Sequence, residues 1–177
     1  MGKWNSWRVG EQDETFEARA ATVIFAPRQL VWDLIKPAEN APMLDPQVMR
    51  AFKAEGTPSG IGEIQFFIYM VNGTEHVAAA EVTDEVPGEY AITRSIGGGA
   101  FPPRIGYFLT YTATGTRLEI RHKIIVPRRQ SAQVRHLVPG YEMSARASLQ
   151  RIKVIAESRW ENRSPGLRSW NGEGDPA

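Results

Sequence analysis

The order of alternating and helical hydrophobic patterns is the feature that most constrains how this chain folds. Between residues 48 and 126, six strand-like segments follow one another, separated by turn signals such as Asn72-Gly73 and Thr114-Gly115. After Pro127, apolar residues recur every three or four positions, which predicts a long helix over about residues 139–160. Consecutive strands joined by tight turns form an antiparallel sheet, and the long helix is then left to cover its apolar face.

The chain before these strands adds one more strand and two short helices. Residues 16–25 are predicted to form the first strand, and Pro27 to open a short helix over residues 28–35. Pro37, Pro42 and Pro46 restrict the following helix to about one turn. The predicted fold is α+β, with a curved antiparallel seven-stranded sheet gripping a long C-terminal helix and two short helices between strands 1 and 2. The other predicted strands are residues 48–54, 62–71, 74–85, 90–96, 104–112 and 117–126.

The length of 177 residues is that of one ordinary domain. Residues 16–162 are predicted to form it, between a loose N-terminal extension over residues 1–15 and a disordered tail over residues 163–177, because both ends are rich in polar residues.

Composition excludes several classes of partner and chemistry. The 21 basic residues balance 20 acidic ones, so no net field attracts nucleic acid or an anionic membrane, and neither is expected as a partner. The chain contains no cysteine, which removes disulfides and thiolate metal sites. It shows no signal-peptide pattern and no apolar run of the roughly 20 residues that a membrane span needs, so a cytoplasmic location is expected. A homodimer is left open.

Hairpin registers predict which side chains face the helix. A two-residue loop at Thr114-Gly115 pairs Tyr107 with His122, Leu109 with Ile120 and Tyr111 with Leu118. A three-residue loop, Val71-Asn72-Gly73, sets Ile68 opposite His76 and Phe66 opposite Ala78. It is preferred to a two-residue Asn72-Gly73 loop, which sets Ile64 opposite Glu81. Alternation along residues 90–96 turns Arg94 inward as well.

The inward set predicts a small-molecule cavity. The helix presents Ala145 and Ser148 where a filled core would need larger side chains, and the sheet presents aromatic and polar groups. His122, Tyr107 and Arg94 are the candidate catalytic residues, because an imidazole, a phenol and a guanidinium can together move a proton and stabilise an enolate. The alternatives are a core histidine satisfied by a tyrosine hydroxyl, and an Arg94 side chain in solvent.

The predicted ligand-contacting residues are His76, Tyr111, Phe66, Ile68, Leu109, Ile120, Tyr141, Ala145, Ser148 and Phe101. Phe101 lies on a glycine-rich loop, which is interpreted either as a lid or as a rigid turn. The three histidines are scattered without ligand spacing, so neither a metal nor another cofactor is expected.

Four stretches of the chain carry a family resemblance: Ile24-Phe25-Ala26-Pro27, Val31-Trp32-Asp33-Leu34-Ile35, Gly60-Ile61-Gly62 and the run from Val82 to Tyr90. With the long terminal helix, they resemble the START-like superfamily, which contains polyketide cyclases and birch-pollen allergens and is also called SRPBCC. The resemblance covers about residues 16–160 and implies the helix-grip fold with a cavity between sheet and helix. Its members range from carriers to cyclases. The function predicted is binding of a hydrophobic small molecule, with cofactor-independent polyketide-type cyclisation or dehydration in natural-product biosynthesis, or alternatively a non-catalytic carrier or sensor of a lipid-like or aromatic ligand.

Overall fold

The fold is seen in a computed structural model that describes Trp4, Gly10 and residues 12–71, 73–97 and 102–163. The strands are β1 (Asp13–Ile24), β2 (Val48–Lys53), β3 (Ile64–Val71), β4 (Thr74–Val86), β5 (Tyr90–Ile96), β6 (Arg104–Thr112) and β7 (Gly115–Pro127). The helices are α1 (Arg28–Ile35), α2 (Ala41–Leu44), α3 (Ser131–Arg135) and α4 (Val138–Arg163), with 3-10 turns at Ala38–Asn40 and Arg128–Gln130.

The strands form one seven-stranded antiparallel sheet in the order β1-β7-β6-β5-β4-β3-β2. The short helices α1 and α2 lie between β1 and β2, and α4 is the long C-terminal helix. The predicted fold class is therefore confirmed. No helix in the described ranges is both long and apolar enough to span a membrane.

The hydrophobic core lies under the β1–β7 side of the sheet. Ile24, Leu118 and Ile120 are buried there against Leu149 and Ile152 of α4. Helix α4 packs mainly on β1, and it makes fewer contacts with the strands β3 to β5 on the other side of the sheet. This uneven packing leaves room for a cavity.

Both predicted hairpin registers differ from the structure, with different consequences. Between β6 and β7, Tyr107 pairs with Ile120 and Leu109 with Leu118. The predicted partners were wrong by two residues, so each side chain keeps its face of the sheet.

Between β3 and β4, Val71 pairs with Thr74, so the predicted three-residue loop is wrong by one residue. Gly73 has φ 77°, a conformation that a two-residue turn requires and that glycine adopts without strain. The apparent mismatch of Ile64 with Glu81 is resolved on the outer face, because Glu81 forms an ion pair with Arg94 of β5.

Trp4 is held on the outer face of the sheet. It is buried, its Nε1 donates a 2.7 Å hydrogen bond to Oε1 of Glu17, and its ring meets the edge of Phe108 at 5.5 Å between centroids. A Cβ on Gly106 would lie 2.9 Å from the Trp4 ring, so a residue without a side chain makes room for it. Strand β1 begins at Asp13, three residues before the predicted start. The predicted loose extension falls largely, and the predicted tail almost wholly, outside the described residues, and both stay predictions.

Candidate functional site

A cavity of about 390 Å³ lies between the inner face of the sheet, the segment that contains α1 and α2, and the first half of α4. This volume falls within the roughly 300–1,000 Å³ of small-molecule sites. Its apolar wall includes Ile35, Ala38, Ala41, Leu44, Val48, Phe67, Ala78, Ala80, Ile105, Ile120, Ala145 and Ile152. Its polar wall includes Lys36, Asp45, Gln47, Gln65, Tyr69, Thr93, Ser95, Tyr107, His122, Tyr141, Ser144 and Ser148.

His122 of β7 is a buried polar group of this wall. Its side chain packs on the ring of Tyr141 from α4, with centroids 5.2 Å apart, and only 8% of the residue is exposed. Burial lowers the pKa of His122 to about 4, so its imidazole is neutral at pH 7. Its Nδ1 is buried without a hydrogen-bond partner among the described residues. A buried nitrogen in that state favours a bound group that would complete its hydrogen bonding.

Two phenols and a carboxylate also belong to the polar wall. Burial raises the pKa of Tyr107 to about 12, and the negative charge of Asp45 adds to the effect. Burial also raises the pKa of Tyr69, again with a contribution from the charge of Asp45. Both phenols therefore stay protonated and can donate hydrogen bonds to a ligand oxygen. Asp45 is positioned by the chain just after α2, where its Oδ1 accepts a 2.9 Å hydrogen bond from the backbone N–H of Gln47.

Lys36 brings a positive charge to the end of the cavity next to α1, and that charge is already neutralised. Its Nζ lies 3.2 Å from Oε2 of Glu63 and 2.9 Å from Oε2 of Glu85. Burial alone would raise the pKa of Glu63, but hydrogen bonds from Gln65 and from the backbone of Gly60, with the charge of Lys36, outweigh burial and lower it. These groups tie α1 to β3 and β4.

Six of the predicted site residues lie in the cavity wall. They are His122, Tyr107, Ile120, Tyr141, Ala145 and Ser148. Leu109 is buried in the adjoining core and does not line the cavity. The roles predicted for the six stay predictions.

Arg94 does not face the cavity, contrary to the prediction. Its guanidinium lies on the outer face, 2.6 Å from Oε2 of Glu81, and its side chain is 51% exposed. Thr93 and Ser95 point to the cavity in its place. The predicted parity of β5 was wrong because no tight turn fixed it, and a register shift between Val82 and Asp84 interrupts the pairing of β4 with β5.

Phe66 and Ile68 also lie on the outer face, as the corrected register of β3 requires. Phe66 stacks on Phe52 of β2 with centroids 5.5 Å apart. Gln65, Phe67 and Tyr69 form the cavity wall instead. Sequence reasoning missed them, although the preference of Asn-Gly for two-residue turns was a signal that could have found them.

The remaining predicted contacts lie away from the cavity or outside the described residues. His76 pairs with Tyr69 near the end of the β3–β4 hairpin and is exposed. Tyr111 lies near the end of β6, 47% exposed, with the guanidinium of Arg28 4.1 Å from its ring centroid. Phe101 is outside the described residues, so the proposed lid has no structural account. Among the described residues, no three metal-ligating side chains cluster.

Solved structures with a similar arrangement are found at low sequence identity. The di-domain ARO/CYC StfQ from the steffimycin biosynthetic pathway matches 82% of this chain and 51% of its own, with a TM-score of 0.70 and 16% identity. The Zhui aromatase/cyclase from Streptomyces sp. R1128 matches 86% of this chain and 99% of its own, with a TM-score of 0.67 and 15% identity. This chain has the helix-grip fold.

A protein that is not named as an aromatase/cyclase matches this fold as well. Major latex-like protein 151 from Panax ginseng matches 80% of this chain and 97% of its own, with a TM-score of 0.64 and 12% identity. The chain spans about half the length of StfQ. No protein-family model and no curated protein matches its sequence. At these identities the comparisons establish the helix-grip fold, and function has to be argued from the cavity.

Proposed function

We propose that this helix-grip protein binds a hydrophobic small molecule bearing hydroxyl or carbonyl groups and promotes its polyketide-type cyclisation or dehydration, without a cofactor, in natural-product biosynthesis. The observation that carries the proposal is the buried Nδ1 of His122, which has no hydrogen-bond partner in the part of the chain that the structure describes. It lies in a cavity that also contains the neutral phenols of Tyr69 and Tyr107. The names of StfQ and Zhui as aromatase/cyclases support the same reaction class.

Catalysis would depend first on the folded conformation in which the cavity holds the ligand. An apolar wall with a few hydrogen-bond donors can hold a flexible chain folded so that its reacting carbons meet. The phenols of Tyr69 and Tyr107 would donate hydrogen bonds to a ligand carbonyl and stabilise the enolate that forms when a neighbouring carbon loses its proton. The neutral imidazole of His122 would accept that proton. Because burial disfavours a lone imidazolium, the transfer would be assisted by the negative charge of the enolate.

A second candidate function, a non-catalytic carrier or sensor, is favoured by a specific observation. Acid–base catalysis is most effective when the pKa of the group lies near the working pH, and that of His122 is about 4. A carrier needs the cavity and its hydrogen bonds but not this proton transfer.

Two substitutions separate the candidates once native mass spectrometry of the purified protein has identified a copurifying ligand. We expect His122→Gln to lower turnover of that ligand about 100-fold, because general acid–base catalysis contributes about 10²–10⁴-fold. Tyr107→Phe is expected to lower it less, since Tyr69 still donates. Ligand affinity, measured by isothermal titration calorimetry, should change less than turnover in both variants. His76→Gln, at an exposed position outside the cavity, is the control. Unaltered turnover in His122→Gln would overturn the proposed role of His122. A ligand that the wild type binds but does not convert would leave the carrier function.

Filling the cavity tests whether it is the binding site. Ser148→Phe on α4 should abolish ligand binding while the melting temperature of the ligand-free protein falls little, because the new ring occupies existing space. Ala156→Phe is the matched control on the same helix. Ala156 is fully buried in the core, so overpacking there should cost about 1–3 kcal/mol of unfolding free energy or more. A Ser148→Phe variant as unstable as Ala156→Phe would show that the space beside Ser148 does not accept a ring.

A further inference from the structure

The charges around the cavity do not suit an anionic ligand. Lys36 is the cation among the described lining residues, and it is held between the carboxylates of Glu63 and Glu85. His122 contributes no positive charge at neutral pH. The segment between the lining residues Gly97 and Pro103 contains no ionisable side chain in its sequence. A carboxylate or phosphate entering this cavity would lose its hydration without gaining a counter-ion.

Asp45 gives the wall a preference for a positively charged ligand group. Its carboxylate is half-buried in the lining, accepts a hydrogen bond from the backbone of Gln47, and forms no ion pair with any residue that the structure describes. Asp45, Tyr69 and Tyr107 all line the cavity, and Asp45 precedes by three residues Val48, which pairs with Tyr69 between β2 and β3. The charge of Asp45 also contributes to the raised pKa of both phenols. Aromatic rings also attract cations through the negative faces of their π systems.

We infer that the ligand of this cavity is a hydrophobic amine whose ammonium group binds the carboxylate of Asp45 beside the rings of Tyr69 and Tyr107. The apolar body of the amine would lie against the aliphatic and aromatic part of the wall, which includes Phe67 and Ile105. The inference rests on the proposed ligand site. If the proposed reaction takes place there, the ammonium group would offset the negative charge of Asp45 beside the enolate that the two phenols stabilise. It adds the charge of the ligand, which the fold alone does not determine.

The test compares three probes that share one skeleton and differ in charge. The full chain is titrated at pH 7 by isothermal titration calorimetry with 2-(2-naphthyl)ethylamine, 2-(2-naphthyl)ethanol and 2-naphthylacetate. The amine should bind about tenfold tighter than the alcohol, as expected for a charge-assisted hydrogen bond, and the carboxylate should bind most weakly. Asp45→Asn should weaken the amine about tenfold and leave the alcohol almost unaffected.

Matched variants keep the result interpretable. Asp33→Asn removes an exposed carboxylate on α1, outside the lining, and should leave all three affinities as in the wild type. Asp45→Ser provides a second removal of the charge, and circular dichroism confirms that each variant is folded.

Two results would overturn the inference in distinguishable ways. If the alcohol binds and the amine is no tighter, or if both Asp45 variants keep the amine affinity, the charge assignment fails while the ligand site stands. If none of the probes binds, and Ser148→Phe is no more stable than Ala156→Phe, the ligand site fails as well.

Discussion

Lowering the pH from 7.5 to 4 should destabilise the protein by about 3 kcal/mol more than its His122→Gln variant. The folded protein holds the pKa of His122 at about 4, below the ordinary value of 6.5 that applies when the chain unfolds. Between these values the unfolded state binds a proton at His122 and the folded state does not. The contribution of His122 to the free energy of unfolding is therefore fully present above pH 6.5 and is lost as the pH falls towards 4. A shift of this size corresponds to about 3 kcal/mol, and glutamine cannot contribute it.

Urea unfolding of both proteins across this pH range measures the difference. His76→Gln is the control, because it makes the same replacement at an exposed position outside the cavity. Parallel stability curves for the wild type and His122→Gln would show that His122 is protonated as easily in the folded protein as in the unfolded chain.

Replacing Lys36 with methionine is expected to cost about 3 kcal/mol of unfolding free energy at pH 7, because breaking a buried ion pair leaves charge without compensation. The side chains of Glu63 and Glu85, left without their ammonium partner, are only 7% and 8% exposed. The folded protein lowers the pKa of Glu63, so its ionised form adds stability above the ordinary pKa of 4.5 and loses it as the pH falls. Without Lys36 that contribution shrinks, and the gap between variant and wild type should narrow in acid.

Chemical unfolding at pH 7 and at pH 3, below the ordinary pKa of 4.5, tests this expectation, with Arg146→Met as the comparison. Arg146 pairs with Glu142 one turn away on α4, but its side chain is 68% exposed, and such a surface pair contributes only about 0–1 kcal/mol. Glu85→Gln in the Lys36→Met background should recover part of the lost stability. Equal losses of unfolding free energy in Lys36→Met and Arg146→Met would show that burial does not strengthen the ion pairs of Lys36 with Glu63 and Glu85.

The sequence predicts the architecture well because each element has its own period and its own boundary signals. The proline-bounded helices, the strand-turn-strand run and the switch to helical spacing after Pro127 together specify the elements and their order. For β6 and β7 even the parity is predictable, because charged residues alternate with apolar ones along β7 and the apolar face packs on α4.

The cavity wall is harder to predict where both faces of a strand are apolar. Strand β3 reads Ile64, Gln65, Phe66, Phe67, Ile68, and such a run shows no alternation that distinguishes inside from outside. Arg94 was misplaced for a related reason, since its partner Glu81 lies on another strand and the ion pair is not visible in the chain. Asp45 lies between elements, where periodicity gives no information, and only the folded chain brings it to the phenols.

The two-residue connection between β3 and β4 also has a consequence for how such cavities diversify. Because the strands pair in antiparallel register, one residue inserted there would turn Phe66 and Ile68 towards the ligand and Gln65, Phe67 and Tyr69 towards solvent. That part of the wall would exchange an amide and a phenol for hydrocarbon without a single substitution in the strand. Insertions and deletions at this hairpin, and not only point mutations, are therefore an evolutionary route to new ligand preferences on this scaffold.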